Sequence, residues 1–215
     1  MSQLHFYING QPFHIDNPDP RTLLVDFLRS PEIGLTGTKK SCGQGGCGAC
    51  TVMLSYYKQS TRKVYFESIN SCLRPICSLD GMEITTTEGI GSVNTAVDET
   101  QFHIAKDNGS QCGFCTPGWV MNMHASLLER GKQGFTKKEI EALFDGNICR
   151  CTGYRPILYA FKHFATDWNE KEDSEGIVQC LVDPAEKPEI KPVSPPDFPG
   201  VFKEKPKPVN FTKNG

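Results

Sequence analysis

Apolar and polar residues alternate at the start of the chain: Leu4, Phe6 and Ile8 share one face of a period-2 pattern, and Asn9-Gly10 supplies residues that tolerate positive φ in a tight hairpin turn. A second strand over 11–15 is expected to pair back. After Pro18-Asp19-Pro20, residues 22–29 change to helical spacing, with Leu24, Phe27 and Leu28 on one face and Thr22 as the expected N-cap. Past a glycine-rich loop, 51–56, 63–67 and 82–86 read as short strands rich in β-branched and aromatic residues. The pattern predicts a small mixed sheet clasping one helix, a β-grasp, over residues 1–88.

Beyond residue 88 the period changes again. Helices are expected over 93–106, 117–130, 137–145 and 156–167. Thr116 precedes Pro117 as a cap precedes a first-turn proline, Gly131 stands where a left-handed terminator belongs, and Thr136 with Glu139 spells a capping box. Short connections between such helices predict an all-α four-helix bundle over 89–168. From residue 169 onward eight of the fifteen prolines fall in the last 47 residues, so 169–215 reads as an extended Pro-rich tail with one short strand over 177–182. The fold class is therefore α+β, in two small domains and a tail.

The balance of charges narrows the function classes. A net charge of -2 lacks the basic excess of a nucleic-acid binder. No apolar run reaches the ~18 residues that span a bilayer, and the first residues lack the basic and apolar regions of a signal peptide. The expectation is a cytoplasmic protein, with neither nucleic acid nor membrane as partner.

Ten cysteines change the picture more than anything else. At about 4.7% they fall below the ~8–10% of disulfide-stapled secreted chains, so thiols grouped this tightly point to metal ligation. Eight form two groups of four, leaving Cys77 and Cys180 over. Cys42, Cys47 and Cys50 give Cys-x4-Cys-x2-Cys, and Cys72 follows after 21 residues, which is the spacing of a plant-type 2Fe-2S ferredoxin. Three thiolates must converge from one short loop, and the interleaved glycines permit the backbone to wrap. Cys72 is preferred over Cys77 as the fourth ligand, a choice that spacing leaves open, and a structural zinc site is the other reading of the group. Residues 43–48 also satisfy G-x-G-x-x-G with Glu67 beyond, but a strand rather than a helix is expected next, so no dinucleotide site is assigned.

The second group pairs Cys112-Gly113-Phe114-Cys115 with Cys149-Arg150-Cys151, two hooks separated by 33 residues. Each hook is expected just before a helix N-terminus, at Pro117 and at Pro156, where free N–H groups and the positive dipole end favour an anionic thiolate centre. Arg150 and Arg155 add positive charge or simply meet solvent. Zinc remains an alternative here, while two centres of one type on adjacent small domains suggest a relay for single electrons.

With these residues assembled, the chain resembles the iron-sulfur part of the molybdenum hydroxylases, the xanthine dehydrogenase and aldehyde oxidase family. The resemblance rests on Gly37-Thr38-Lys39, residues 42–52, Ser71-Cys72-Leu73-Arg74-Pro75-Ile76-Cys77, Gln111-Cys112-Gly113-Phe114-Cys115-Thr116-Pro117-Gly118, and residues 146–158. It implies one 2Fe-2S cluster on the β-grasp domain, another on the helical domain, and an electron route from molybdopterin through the helical-domain cluster and the β-grasp cluster to a flavin. It further implies that Gln111 hydrogen-bonds the molybdopterin and that Cys151 lies beside the pterin edge; by residue chemistry alone Gln111 is a helix-terminal or exposed amide. Residues 154–158 and 22–57 look closer to the xanthine dehydrogenase subgroup. Ser41 departs from an expected glycine. The tail resembles the connector that leads into a flavin domain, and the expected partners are a molybdopterin-binding large subunit and an FAD-binding medium subunit. A free-standing two-cluster ferredoxin and a zinc-stabilised interaction module are the rival classes.

The remaining histidines, His5, His14, His103, His124 and His163, show no ligand spacing and are expected at the surface or core edge. Val120, Met123, His124 and Leu127 form a stripe expected in the helical core.

Overall fold

The hairpin predicted by Asn9-Gly10 forms: β1 (Gln3–Ile8) and β2 (Gln11–Asp16) pair antiparallel, with φ of 50° and 77° at the two turn residues. The computed structural model describes residues 3–174 and 188–203. The strand expected over 177–182 lies outside them, as does Cys180. α1 (Leu24–Leu28) is followed by β3 (Thr51–Lys58), β4 (Lys63–Asn70) and β5 (Met82–Thr85), giving a five-stranded mixed sheet in the order β2-β1-β5-β3-β4. β1 and β5 run parallel, the other neighbours antiparallel.

Leu4, Phe6, Ile8, Val52, Leu54 and Ile84 point to the face covered by α1, burying a core with Leu24 and Leu28. The alternation read from the sequence therefore holds for β1. In β3 it is hidden, because residues 51–55 are buried on both faces. α1 is shorter than expected and Thr22 does not cap it: Leu23 is its N-cap, while the Thr22 carbonyl accepts from Ile76 N–H at 3.0 Å. The chain thus uses Thr22 to tie the 71–78 segment to the helix rather than to start it.

Next come a short α2 (Thr87–Ile90), β6 (Val97–Asp98), α3 (Glu99–Lys106), α4 (Thr116–Arg130), α5 (Lys137–Ala142), α6 (Arg155–Lys162), α7 (Glu170–Asp173) and β7 (Ile190–Lys191). All four expected helices are present, with different ends. α3 begins at Glu99 because Asp98 makes a complete capping box with Gln101, and residues 97–98 are engaged by β7 instead. α4 begins at Thr116 with Cys115 as N-cap; the Thr116 hydroxyl meets Ser110 Oγ at 2.8 Å and caps nothing. The Gly131 terminator (φ 57°) and the Thr136–Glu139 capping box are as read. α6 stops at Lys162, five residues early.

α4 lies against β3 and β4 on the face opposite α1. Met53 and Phe66 of the sheet join Trp119, Val120, Met123, Ile140, Phe144, Ile157 and Phe161 in one core. The sheet and the helices thus share a hydrophobic interior. Residues 188–203 fold back over the chain itself: β7 pairs parallel with β6, Phe198 is buried, and Phe202 stands edge-on to Tyr7 at 5.3 Å. Among the described residues no helix is long and apolar enough to cross a membrane.

Candidate metal centres

Strand register builds the first centre. Thr51 of β3 pairs with Asn70 of β4, so Cys50, one residue before β3, meets Cys72, two residues after β4. Ser71 clamps the junction by donating to the Cys50 carbonyl through its amide (3.3 Å) and its hydroxyl (2.7 Å). Both cysteines are buried and the two thiols are hydrogen-bonding neighbours. Burial first, and then the Cys72 thiol beside it, push Cys50 up to about 11. At the other end of the loop the amides of Gln44, Gly46 and Cys47 and the Cys47 thiol turn toward Cys42; the Gln44 amide is the largest influence and Cys42 falls to about 6.

At Gly45 and Gly48 the loop leaves no space for a side chain. Gly45 has φ of 75°, and a Cβ there would collide with Leu73, while the Gly45 carbonyl accepts from Asn70 Nδ2 at 3.0 Å. After Cys50 the chain enters β3, not a helix, which removes the phosphate-cradling reading of 43–48. Cys77 stands apart from this group, exposed, with its thiol directed to the Pro18 carbonyl at 3.8 Å.

Helix starts build the second centre. Cys112 and Cys115 directly precede α4, and Cys149 and Cys151 precede α6, whose N-cap Tyr154 adopts φ of 70°. Cys112 is hydrogen-bonded with Cys151 and Cys115 with Cys149, and the members of each hook also feel one another's charge. All four sulfurs therefore converge. Burial and the adjoining Cys149 thiol push Cys115 up to about 12. Cys149 moves down: burial opposes this, but the Thr152 hydroxyl (3.1 Å from Sγ) and the amides of Thr152 and Cys151 outweigh it. The hydrogen bond with Cys112 raises Cys151.

The nine described cysteines are all free thiols. Each tetrad holds one thiol that desolvation pushes above its ordinary 9.0, buried Cys50 and half-buried Cys115, and another, Cys42 and Cys149, that amides prepare for negative charge. Such a donor set resists ionisation until a cation replaces the protons, which is what a four-thiolate iron-sulfur centre requires. The residues fit that group. Gln111 and Cys151 are both exposed, at the mouth of the second group with Phe114; Arg150 and Arg155 are exposed too.

The two loops touch. Ile148 N–H donates to the Cys47 carbonyl at 3.0 Å, and the Asn147 amide donates to the Gly48 carbonyl at 3.4 Å. Asn147 is held in turn by Asn122 of α4, whose Nδ2 donates to its Oδ1 at 2.7 Å. A Cβ on Gly118 would strike the Gly48 carbonyl oxygen, so α4 approaches the first loop backbone to backbone. Asn122 and Asn147 carry no metal-ligand signature, and sequence reading assigned them no role.

The histidines were expected to stand alone, and they do not. His5 and His14, opposite each other in the β1–β2 register, bring their Nδ1 atoms to 2.9 Å. His124 Nδ1 lies 3.2 Å from Asp98 Oδ2, both buried. His103 and His163 stack at 4.4 Å beside Asp107. The one legible clue was the i,i+4 spacing of His103 and Asp107; the other pairs arise from register and tertiary packing.

Residues 6–76 match the family model described as a 2Fe-2S iron-sulfur cluster binding domain, and residues 86–162 match a 2Fe-2S binding domain. The chain is 46% identical to a xanthine dehydrogenase/oxidase of Felis catus over 92% of its own length and 16% of the relative's. It is 48% identical to an aldehyde oxidase 1 of Oryctolagus cuniculus over 83% of its length and 13% of the relative's. The chain thus spans about one eighth to one sixth of the length of these curated relatives. Among solved structures, a chain of quinoline 2-oxidoreductase from Pseudomonas putida 86 superposes with a TM-score of 0.62 at 31% identity, covering 82% of this chain and 98% of that one. The aldehyde oxidoreductase from Desulfovibrio gigas gives 0.65 at 31% identity, covering 81% of this chain and 18% of that one.

Proposed function

Because the chain belongs to the molybdenum hydroxylase family, as the 2Fe-2S region shared by xanthine dehydrogenases and aldehyde oxidases, we propose that it conducts single electrons between a molybdopterin centre and a flavin carried by partner subunits or domains. Cys42, Cys47, Cys50 and Cys72 hold one 2Fe-2S cluster within a β-grasp domain, residues 1–88. Cys112, Cys115, Cys149 and Cys151 hold the other within a helical bundle domain, residues 89–168. When bound, each cluster supplies a site that accepts and releases one electron.

This chain's residues set the conditions for that exchange. The amides of Gln44, Gly46 and Cys47 and those of Cys151 and Thr152 offset negative charge on sulfur, which helps to fix the potentials. The N-terminus of α4 adds its positive dipole end beside Cys115. Asn147 and Gly118 close the space against Gly48 of the first loop, and their burial keeps water from the shared wall. The observation that carries the reading is the 3.0 Å hydrogen bond from Ile148 N–H to the Cys47 carbonyl. It joins a ligand of one centre to the neighbour of Cys149 through one hydrogen bond, and electron transfer decays steeply with each gap it must cross.

Gln111 and Cys151 face the molybdopterin side, which their exposure beside Phe114 supports. The tail, residues 169–215, connects toward the flavin side, and free thiols throughout the described residues suit a reducing, cytoplasmic setting. Metal and sulfide analysis of the full chain, with an anaerobic reductive titration, tests the proposal. The expected result is about four iron and four sulfide per chain, from two clusters of two, and two electrons taken up. Zinc without sulfide would refute it.

A further inference from the structure

We propose that His103, Asp107 and His163 form a binding site for a divalent transition-metal ion of the zinc class, separate from the eight cysteines. His103 lies in the last turn of α3 and Asp107 is that helix's C-cap, so the i,i+4 spacing puts both on one face. His163 is the C-cap of α6, and α3 packs on α6. Two helix ends thereby bring three ligand atoms within 4.8 Å of one another. His163 Nε2 stands 3.2 Å and His103 Nδ1 3.7 Å from Asp107 Oδ2. A tetrahedral ion with bonds of about 2.0–2.1 Å separates its ligand atoms by roughly 3.3 Å, so the constellation needs only small side-chain rotations to close on a metal.

The polar atoms converging here face one another: the Asp107 side chain is fully buried, and beyond its approaches to His163 Nε2 and His103 Nδ1 neither of its oxygens has a hydrogen-bond partner among the described residues. Either two N–H tautomers aimed at the carboxylate or one cation between two neutral imidazoles and the carboxylate satisfies this set, and the close approach of all three ligand atoms is the geometry that a cation uses.

The surroundings match a ligated histidine. The other nitrogen of His163, Nδ1, lies 3.9 Å from Glu170 Oε2, a charge contact longer than a hydrogen bond, and that oxygen accepts from Trp168 Nε1 at 2.9 Å. Trp168 (4.2 Å), Tyr159 (5.3 Å) and, against His103, Phe164 (5.3 Å) wall the rings with apolar surface. Three protein ligands leave a fourth position for water or for the second Asp107 oxygen. The site lies at the end of α6 remote from Cys149 and Cys151, about 12 Å along the helix from Arg155. An ion here staples α3 to α6, the helices that flank the second cysteine group.

The test uses the untagged full chain with its iron in place, stripped with a mild chelator, equilibrated with zinc sulfate at pH 7.5 and desalted. The expected result is about one zinc per chain with iron unchanged, and an X-ray absorption spectrum with a nitrogen/oxygen shell near 2.0–2.1 Å. Asp107→Asn and His163→Gln should each lower zinc retention at least tenfold with no loss of iron. A sulfur shell near 2.3 Å, zinc gained at the expense of iron, or no zinc in the parent chain would overturn the proposal. Because the spectrum is read on the parent chain, the outcome does not depend on either variant folding.

Discussion

The side-chain amide of Asn147 donates to the carbonyl of Gly48 at 3.4 Å, across 99 positions of sequence, and ties the loop that carries Cys149 to the loop that carries Cys47 and Cys50. Both residues are buried, so no water replaces the bond when it is lost. Asn147→Ala strips the Gly48 carbonyl of this donor and takes an acceptor from Asn122, which keeps its bond to the Leu143 carbonyl at 3.0 Å. The expected cost is about 1–3 kcal/mol, read as a lower thermal unfolding midpoint with the iron content preserved. An unchanged midpoint would remove Asn147 from the interface argument.

Gly118 makes the same junction by having no side chain. Because its Cβ would meet the backbone oxygen of Gly48, the added methyl of Gly118→Ala has to push α4 off the first loop. Overpacking against backbone costs about 1–3 kcal/mol or more, and the variant should show a larger loss of stability than Asn147→Ala in the same denaturant titration.

The four-and-four division of the cysteines predicts an asymmetric response. Cys112→Ser should remove one of two paramagnetic signals of the reduced chain and leave the other. Cys77→Ser should leave both, since Cys77 is exposed and turned to the Pro18 carbonyl while Cys72 adjoins Cys50. Electron paramagnetic resonance of the dithionite-reduced proteins reads both results. Loss of a signal in Cys77→Ser would transfer the fourth ligand to that residue.

Glu83 is fully buried on β5, opposite Ser55 of β3; its Oε1 accepts from Gly10 N–H at 3.1 Å and its Oε2 has no partner among the described residues. Burial first, and then the charge of Asp197, raise its carboxyl above the ordinary 4.5, against the Gly10 bond that lowers it. A raised folded value means that the protonated side chain favours the fold. That contribution is complete below the unfolded value and is lost as pH rises through the folded one. Glu83→Gln keeps the acceptor and removes the charge, so it should stabilise the chain by on the order of 1 kcal/mol at pH 7, with the gain vanishing near pH 4. Urea unfolding at the two pH values measures it.

Much of this architecture is legible in the chain because local signals and tertiary packing agree. Leu4, Phe6 and Ile8 alternate and are buried, Asn9-Gly10 turns, and Thr136 caps with Glu139. The signals fail where a longer-range partner claims a residue. Thr22 surrenders its capping place to bond Ile76, and residues 97–98 join β7 rather than the helix that the pattern extends to 93. The cysteine groups are legible because ligand spacing is a local constraint. The Cys72 and Cys77 alternatives are not separable from spacing, since it is the pairing of Thr51 with Asn70 that brings one of them to Cys50. The histidine contacts were hidden for the same reason: no local pattern encodes His163 meeting His103.

That strand pairing also fixes an order of assembly. Cys42 and Cys47 belong to one short turn, but Cys50 and Cys72 become neighbours only after β3 and β4 have zipped along their full length. In the second centre Cys115 and Cys149 wait likewise for α4 and α6 to dock. A nascent chain therefore offers at most three thiols of the first tetrad and two of the second, and delivery of iron and sulfide has to follow backbone closure. Slowing the β3–β4 hairpin, for instance at the Lys58–Lys63 turn, should delay the appearance of colour without altering the final absorbance.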